Sequence, residues 1–344
     1  MADTLTALWY GEHPAAALLQ PLASFYGALL TLRRRAYRSG WLRSESAGKP
    51  VVVVGNLTVG GTGKTPLTLW LALELEAQGL KVGIVSRGYG RSGSEPCRVK
   101  PGSNWRDVGD EPLILARRSG CPTVVGADRL AAARSLAARG VDVILADDGL
   151  QHLRLARDCE IVVIDGMRGF GNGRLLPAGP LREPAVQLWQ ADAVVVNGAP
   201  EHASLAHSLP PQGTLAMQLT PLEAERIDAL GPPRPLEAFR GQPVHAVAGI
   251  GNPQRFFMAL REQGLDVSEH AFADHHALTP ADLAFADELP VLMTEKDAVK
   301  CAAFADARLW SVPVSAALAA ADAEELLARV LAKVRAARQS GGQL

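Results

Sequence analysis

Up to residue 197 the chain carries short runs of β-branched and aliphatic residues with little polar alternation: VVVV at 51–54, VGIVS at 82–86, TVV at 123–125, VDVIL at 141–145, IVVID at 161–165 and AVVVN at 193–197. A half-exposed strand alternates apolar and polar positions, so nearly unbroken runs predict strands buried on both faces. Ala- and Leu-rich helical stretches separate them, which predicts a parallel sheet covered on each side. The pattern breaks at 199–213, APEHASLAHSLPPQG, and again at 231–235, GPPRP, with one more strand expected near 214–220. These proline-rich patches predict a connection at about 210–240. Beyond it, VHAVAG at 244–249, a helix from about 254 to 263, VLMT at 291–294 and an Ala/Leu/Glu-rich helix from about 319 to 338 predict a second, smaller α/β unit with its own closing helix. The expected division is a segment 1–45, a nucleotide-binding domain 46–212, a linker region 213–240 and a smaller domain 241–344.

The N-terminal segment departs from this pattern. Residues 14–32, PAAALLQPLASFYGALLTL, carry no charge; Arg33, Arg34, Arg35 and Arg38 follow at once, and Trp9, Tyr10, Tyr37 and Trp41 flank them. The basic residues lie after the apolar stretch, the reverse of a secretory signal. Gln20 and Pro21 interrupt a run barely long enough to span a bilayer. A helix lying in a membrane interface fits, with its arginines on lipid phosphates; a core helix with a solvated basic end is the alternative.

Composition narrows the classes. A chain of 344 residues with 48% hydrophobic content is long enough for two packed domains and is not generally disordered. Its net charge of −1 gives no global attraction to nucleic acid. Cys97, Cys121, Cys159 and Cys301 are scattered, with no C-x-x-C pair and no His at zinc spacing, and read as reduced thiols.

The first apolar run leads into a Gly-rich turn ending Gly63-Lys64-Thr65 at the start of an amphipathic helix. Backbone N–H groups of such a turn close on phosphates, Lys64 reaches the β and γ oxygens, and the Thr65 hydroxyl ligates Mg²⁺ at a helix N-terminus. The general pattern asks for Gly where this chain has Thr58, and Gly60 and Gly61 supply the freedom instead. The expected cradle is Thr58, Val59, Gly60, Gly61, Thr62, Gly63, Lys64 and Thr65.

A bound metal-triphosphate wants a carboxylate at the end of a neighbouring strand. Asp147 and Asp148 close the run at 141–145, and two adjacent acids repel unless a cation is near. A surface DDG turn is the alternative, and Asp165 is a competing single carboxylate; Gln151 and His152 follow within reach. Phosphoryl transfer to a hydroxyl also needs a base and cations. SRGYGR at 86–91 and Gly109-Asp110-Glu111-Pro112 offer these, although Asp110 equally reads as the cap of a helix start. The proline-braced loop at 176–184 presents Arg182 and Glu183, either pre-positioned or simply stiff. Asp274, His275 and His276 set a carboxylate beside imidazoles, at a spacing that fits no zinc signature.

In order along the chain, VGNLTVGGTGKTP, SRGYGR, VGDEP, DDGLQH, LPAGPLREP, GIGNPQRFF, FADHH and TEKDAVK resemble the tetraacyldisaccharide 4′-kinases, the lipid A 4′-kinases of Gram-negative bacteria. The likeness runs from the apolar helix to about residue 310, and Thr58 belongs to that family's own loop. It implies ATP- and Mg²⁺-dependent phosphorylation of the 4′-hydroxyl of tetraacyldisaccharide 1-phosphate, giving lipid IVA, on the cytoplasmic face of the inner membrane. It implies a P-loop NTPase-like parallel-sheet domain joined by a short β linker to a smaller α/β domain. Carried over residue by residue, Lys64 and Thr65 hold phosphates and metal and Asp147 and Asp148 serve the metal. Asp110 is the base paired with His275, in preference to His276, and Arg182 and Glu183 sit close to the transferred group. The implied partners are the glycolipid and the membrane surface, with no nucleic acid and no obligate protein partner. The rival is a membrane-associated P-loop ATPase switch of the partition type, whose loop places Lys directly before the Gly pair; here that place is Val59.

Overall fold

The computed structural model describes residues 7–341 other than 12, 92, 94, 211 and 305, and divides them between two sheets. Strands β1 (Val51–Gly55), β2 (Val82–Ser86), β3 (Cys97–Val99), β4 (Thr123–Val125), β5 (Val143–Asp147), β6 (Cys159–Asp165), β7 (Ala193–Asn197), β8 (Thr214–Pro221) and the late β14 (Val314–Leu318) build the larger one. Their order is β14-β8-β7-β6-β1-β5-β2-β4-β3, parallel except at the two outer pairs, β14–β8 and β3–β4. The smaller sheet runs β11-β10-β12-β13-β9, from β9 (Glu225–Arg226), β10 (Pro243–Ala248), β11 (Asp266–Ala271), β12 (Val291–Thr294) and β13 (Leu309–Val312), parallel except for β9.

The helices are α1 (Ala15–Leu18), α2 (Gln20–Arg38), α3 (Lys64–Ala77), α4 (Trp105–Val108), α5 (Asp110–Ser119), α6 (Arg129–Ala137), α7 (Pro253–Glu262), α8 (Glu295–Ala298) and α9 (Ala320–Gly341). Side chains alternate across a strand, so Val52 and Val54 of β1 meet α3 and α9 while Val51 and Val53 join the core under α6. Each of these buried valines contributes about 1.5–3 kcal/mol relative to exposure. The helix after the Gly-rich turn was expected to be one-sided. Instead α3 is buried on more than one side: Leu67, Leu69, Leu71, Ala72 and Leu75 join a core with the sheet, α5 and α9, and Thr65 and Thr68 are buried as well.

The tertiary structure redraws the expected division. Strand β8, expected within the linker region, is part of the large sheet, and β14 and the closing helix α9 return to it. Leu326, Val330 and Val334, spaced four residues apart on α9, join the core that α3 forms with the Val52 and Val54 face of that sheet. The chain therefore crosses twice between units, once after β8 and once at Pro313. The two crossings are tied by Leu222 N–H donating to the Pro313 carbonyl at 2.8 Å, between the β8–β14 and β9–β13 ladders.

At the N-terminus, Pro21 falls in the first turn of α2, so the Gln20-Pro21 interruption is a helix start. Ala23 and Leu30 of α2 face the protein, while Leu22, Phe25, Leu29 and Leu32 face outward. Among the described residues no helix is long and apolar enough to cross a membrane.

Candidate active site

The Gly-rich turn connects β1 to α3 and is fixed from three sides. Asn197, at the end of β7, donates through Nδ2 to the Thr62 carbonyl at 3.0 Å, and Asn56 donates to the Gly60 carbonyl at 3.2 Å. The proline-braced loop zips onto the turn: Val59 N–H donates to the Pro180 carbonyl at 2.9 Å, Arg182 N–H to the Leu57 carbonyl at 2.6 Å, and Thr58 bridges Leu181. Thr58 thus has an ordinary backbone that needs no glycine. Gly63 has φ +98°, and a Cβ there would lie 2.7 Å from Asn197 Nδ2.

Parallel pairing of β1 and β5 sets Val54 beside Asp147 and brings the paired acids under the turn. Asp148 takes a left-handed backbone, φ 50°, and faces Lys64 Nζ at 3.8 Å; the Arg182 fork grips it from Nη2 at 2.8 Å and Nη1 at 3.2 Å. Burial alone would raise the Asp148 pKa, but Lys64 and Arg182 outweigh it and hold the carboxyl well below the usual range. Asp147 is wholly buried. Its Oδ1 accepts from Thr68 Oγ1 at 3.2 Å, and its Oδ2 has no hydrogen-bond partner among the described residues. Burial, with Glu111 and Asp148 adding negative charge, pushes its pKa up to about 7.

That orphaned oxygen is what a cation would satisfy. Oxygen donors from Asp147, Asp148 and Thr65 suit Mg²⁺, which takes few protein ligands and shares its shell with phosphate and water. Among the described residues no group of three or more His, Cys, Asp or Glu side chains is placed to hold a metal ion. Asp165 is committed elsewhere: Oδ1 accepts from Met167 and Arg168 N–H and from Arg255 of α7 at 2.8 Å. Gln151 steadies the Asn56 carbonyl at 3.2 Å. His152, which follows within reach of the acid pair in sequence, leaves Nε2 without a partner among the described residues, and burial with Arg129 nearby lowers its pKa to about 4.

From the other side of the cleft comes His275. It has φ 62°, a strained conformation for a residue with a Cβ, and its Nδ1 lies 3.3 Å from Asp110 Oδ2. Tyr89 of the SRGYGR loop packs its ring 4.7 Å from the imidazole. Asp110 is 4% exposed and sits in the first turn of α5, behind the actual N-cap, Gly109. Burial would raise its pKa, yet the hydrogen bond from His275 and the charges of Lys296 and Lys300 lower it to about 2. The same bond raises His275 against burial. His276 turns away, to Asp282 at 3.3 Å and onto the Phe272 ring.

The geometry therefore gathers Lys64, Thr65, Asp147, Asp148 and Arg182 in one group and Asp110 with His275 in another facing it. Glu183, expected beside the transferred group, is 1% exposed and pairs with Arg34 of α2 at 3.0 Å. Its carboxylate serves the N-terminal helix because the rigid loop sends successive side chains to opposite sides. Asn56, Asn197, Arg255 and Lys300 were not singled out from sequence; only their places at strand ends and inside GIGNPQRFF and TEKDAVK hinted at them. Beside Thr65 a cavity of about 170 Å³, lined by Pro66, Leu69, Leu219, Phe256 and Val312 among others, separates the two units.

A Walker-type turn, an acid pair under it and a carboxylate–imidazole pair opposite define a P-loop phosphotransferase. The chain belongs to the tetraacyldisaccharide 4′-kinase family: the LpxK family model, tetraacyldisaccharide-1-P 4′-kinase, matches residues 15–334. It is 50% identical over 338 residues to the tetraacyldisaccharide 4′-kinase of Pseudomonas aeruginosa strain LESB58, spanning 95% of this chain and 99% of that one. It is 52% identical over 316 residues to the enzyme of the same description from Alkalilimnicola ehrlichii, spanning 91% and 92%. The crystal structure of LpxK from Aquifex aeolicus in complex with ATP superposes with a TM-score of 0.78 at 28% identity, over 93% of this chain and 99% of that one. The comparisons give the partition-type switch no support.

Proposed function

We propose that the chain transfers the γ-phosphoryl group of ATP to the 4′-hydroxyl of tetraacyldisaccharide 1-phosphate at a bilayer surface. The observation that carries this reading is the meeting, across one cleft, of the phosphate-binding turn with the buried Asp110–His275 pair. Lys64 and the N–H groups of the turn hold the β and γ phosphates. Thr65, Asp147 and Asp148 would hold Mg²⁺, which would supply positive charge to those oxygens. The apolar cavity beside Pro66 and Leu69 takes the adenine.

Asp110 accepts the proton of the 4′-hydroxyl as that oxygen bonds to the γ phosphorus and the bridge to the β-phosphate breaks, releasing ADP. His275 orients the carboxylate, and the hydrogen bond that raises its pKa favours the ionised form of Asp110. Arg182, aimed by Asp148 and Asn56, offers its guanidinium to the equatorial oxygens. Glu183 acts at one remove, holding Arg34 and hence the arm.

The outward face of α2 supports a peripheral seat on the inner membrane: Leu22, Phe25, Leu29 and Leu32 are exposed on one side, and Arg33, Arg35 and Arg38 follow, also exposed. Such a seat brings the cleft to the surface where an acylated sugar presents its headgroup. Labelled ATP and detergent-dispersed tetraacyldisaccharide 1-phosphate test the reading. Label is expected in the lipid with the parent protein, and incorporation should fall at least about a hundredfold with Lys64→Ala. Label transfer at the parent rate by Lys64→Ala would refute it.

A further inference from the structure

Lys300 lies one turn beyond Lys296, in the smaller unit, and its side chain is 1% exposed. A buried ammonium persists only when paired. Its first partner is Asp297, 0% exposed, with Oδ1 at 3.1 Å; its second is Asp110 Oδ2, 4.0 Å away on the other side of the cleft. Lys296 also acts on Asp110, but from an ammonium paired with Glu111 of the larger unit.

Asp297 is itself a junction. Its Oδ2 accepts from Gly249 N–H at 2.8 Å and from Thr294 Oγ1 at 2.6 Å, and the Gly249 carbonyl accepts from His275 N–H at 3.2 Å. The loop that begins at Gly249 reaches the phosphate turn, where Gly251 packs on Gly60 and Gly61. One buried carboxylate thus fixes three things that bear on catalysis: the strained His275, the loop over the turn, and Lys300.

We propose that Lys300 is a positioning residue for phosphoryl transfer, carrying the closure of the two units from Asp297 to Asp110 and so keeping that carboxylate ionised and aimed. This rests on Asp110 being the base. The charged groups facing Asp110 are His275, Lys296 and Lys300 from the smaller unit and Glu111 from its own helix. Of the three cations, Lys300 is the one whose other contacts lie wholly within the smaller unit, so its distance to Asp110 follows closure.

The test measures label transfer from ATP to the detergent-dispersed lipid across pH, ATP affinity by equilibrium binding, and thermal melting, for Lys300→Met, Lys300→Arg, Asp297→Asn/Lys300→Met and Asp110→Asn. Expected for Lys300→Met are ATP affinity within about threefold of the parent, kcat lower by about 10- to 100-fold, and an acid limb displaced upward by about one pH unit. Lys300→Arg should recover part of the rate, and the double variant should regain melting temperature without regaining rate. A double variant that regains both with an unmoved pH profile would make Lys300 purely structural and overturn the proposal. So would parent kcat in Lys300→Met. Parent turnover in Asp110→Asn would instead remove the base reading, and this inference with it.

Discussion

Gly251 offers a sharp test of how closely the two units must approach. A Cβ built there lies 2.7 Å from Gly61 N and 3.3 Å from Gly60 Cα, where ordinary contact begins at 3.4 Å. The shortfall, about 0.7 Å at the closest atom, cannot be absorbed by a swinging side chain, because backbone stands on both sides. Arg168 also donates to the Gly251 carbonyl, so the loop is pinned to the large sheet as well as pressed against it. Gly251→Ala must therefore hold the units apart by several tenths of an ångström at the Gly60–Gly61 turn.

Misplacement by about 1 Å can cost a hundredfold in rate, so kcat for label transfer should fall about 10- to 100-fold. The backbone of Gly251 is one that alanine adopts without strain, and the phosphate turn keeps its own bonds. The turn should therefore stay folded, and ATP affinity by equilibrium binding should fall less than kcat does. Gly102→Ala, where a Cβ would meet nothing within 4 Å, is the control. Parent kcat in Gly251→Ala would show that the contact is dispensable and that catalysis tolerates a wider cleft.

The Asp110–His275 pair gives a signed pH dependence. Asp110 is lowered from 3.8 to about 2, so its contribution is complete above pH 3.8 and lost as pH falls toward 2; His275 is raised, so its contribution is complete below pH 6.5 and lost as pH rises through the raised folded value. The melting-temperature gap between the parent and His275→Asn should be widest between pH 3.8 and 6.5, and a gap that grows at higher pH would contradict the pairing. For the arm, replacing Leu22, Phe25 and Leu29 by Ser should lower partition onto anionic vesicles at least about tenfold with ATP affinity retained; unchanged co-sedimentation would remove the interfacial seat.

Much of this molecule was legible locally. The valine run of β1, buried on both faces, and the Gly63-Lys64-Thr65 step into α3 are properties of a short stretch of chain, because strand burial and phosphate recognition both act between near neighbours in sequence. The acid pair at the end of β5 was readable for the same reason. The sequence already ranks that pair above the single Asp165, and the placement of Arg255 adds that the Asp165 carboxylate is already satisfied.

What the sequence determined by itself was the alternation of strand and helix, the phosphate turn, the arginine-edged arm and the family. Tertiary structure decided that β14 and α9 return to the first sheet, that His275 rather than His276 meets Asp110, that Glu183 serves Arg34, and that Lys300 reaches across the cleft. Those facts depend on which surfaces lie uncovered once the sheets have formed and which charges lose water together. No single stretch of chain carries that information.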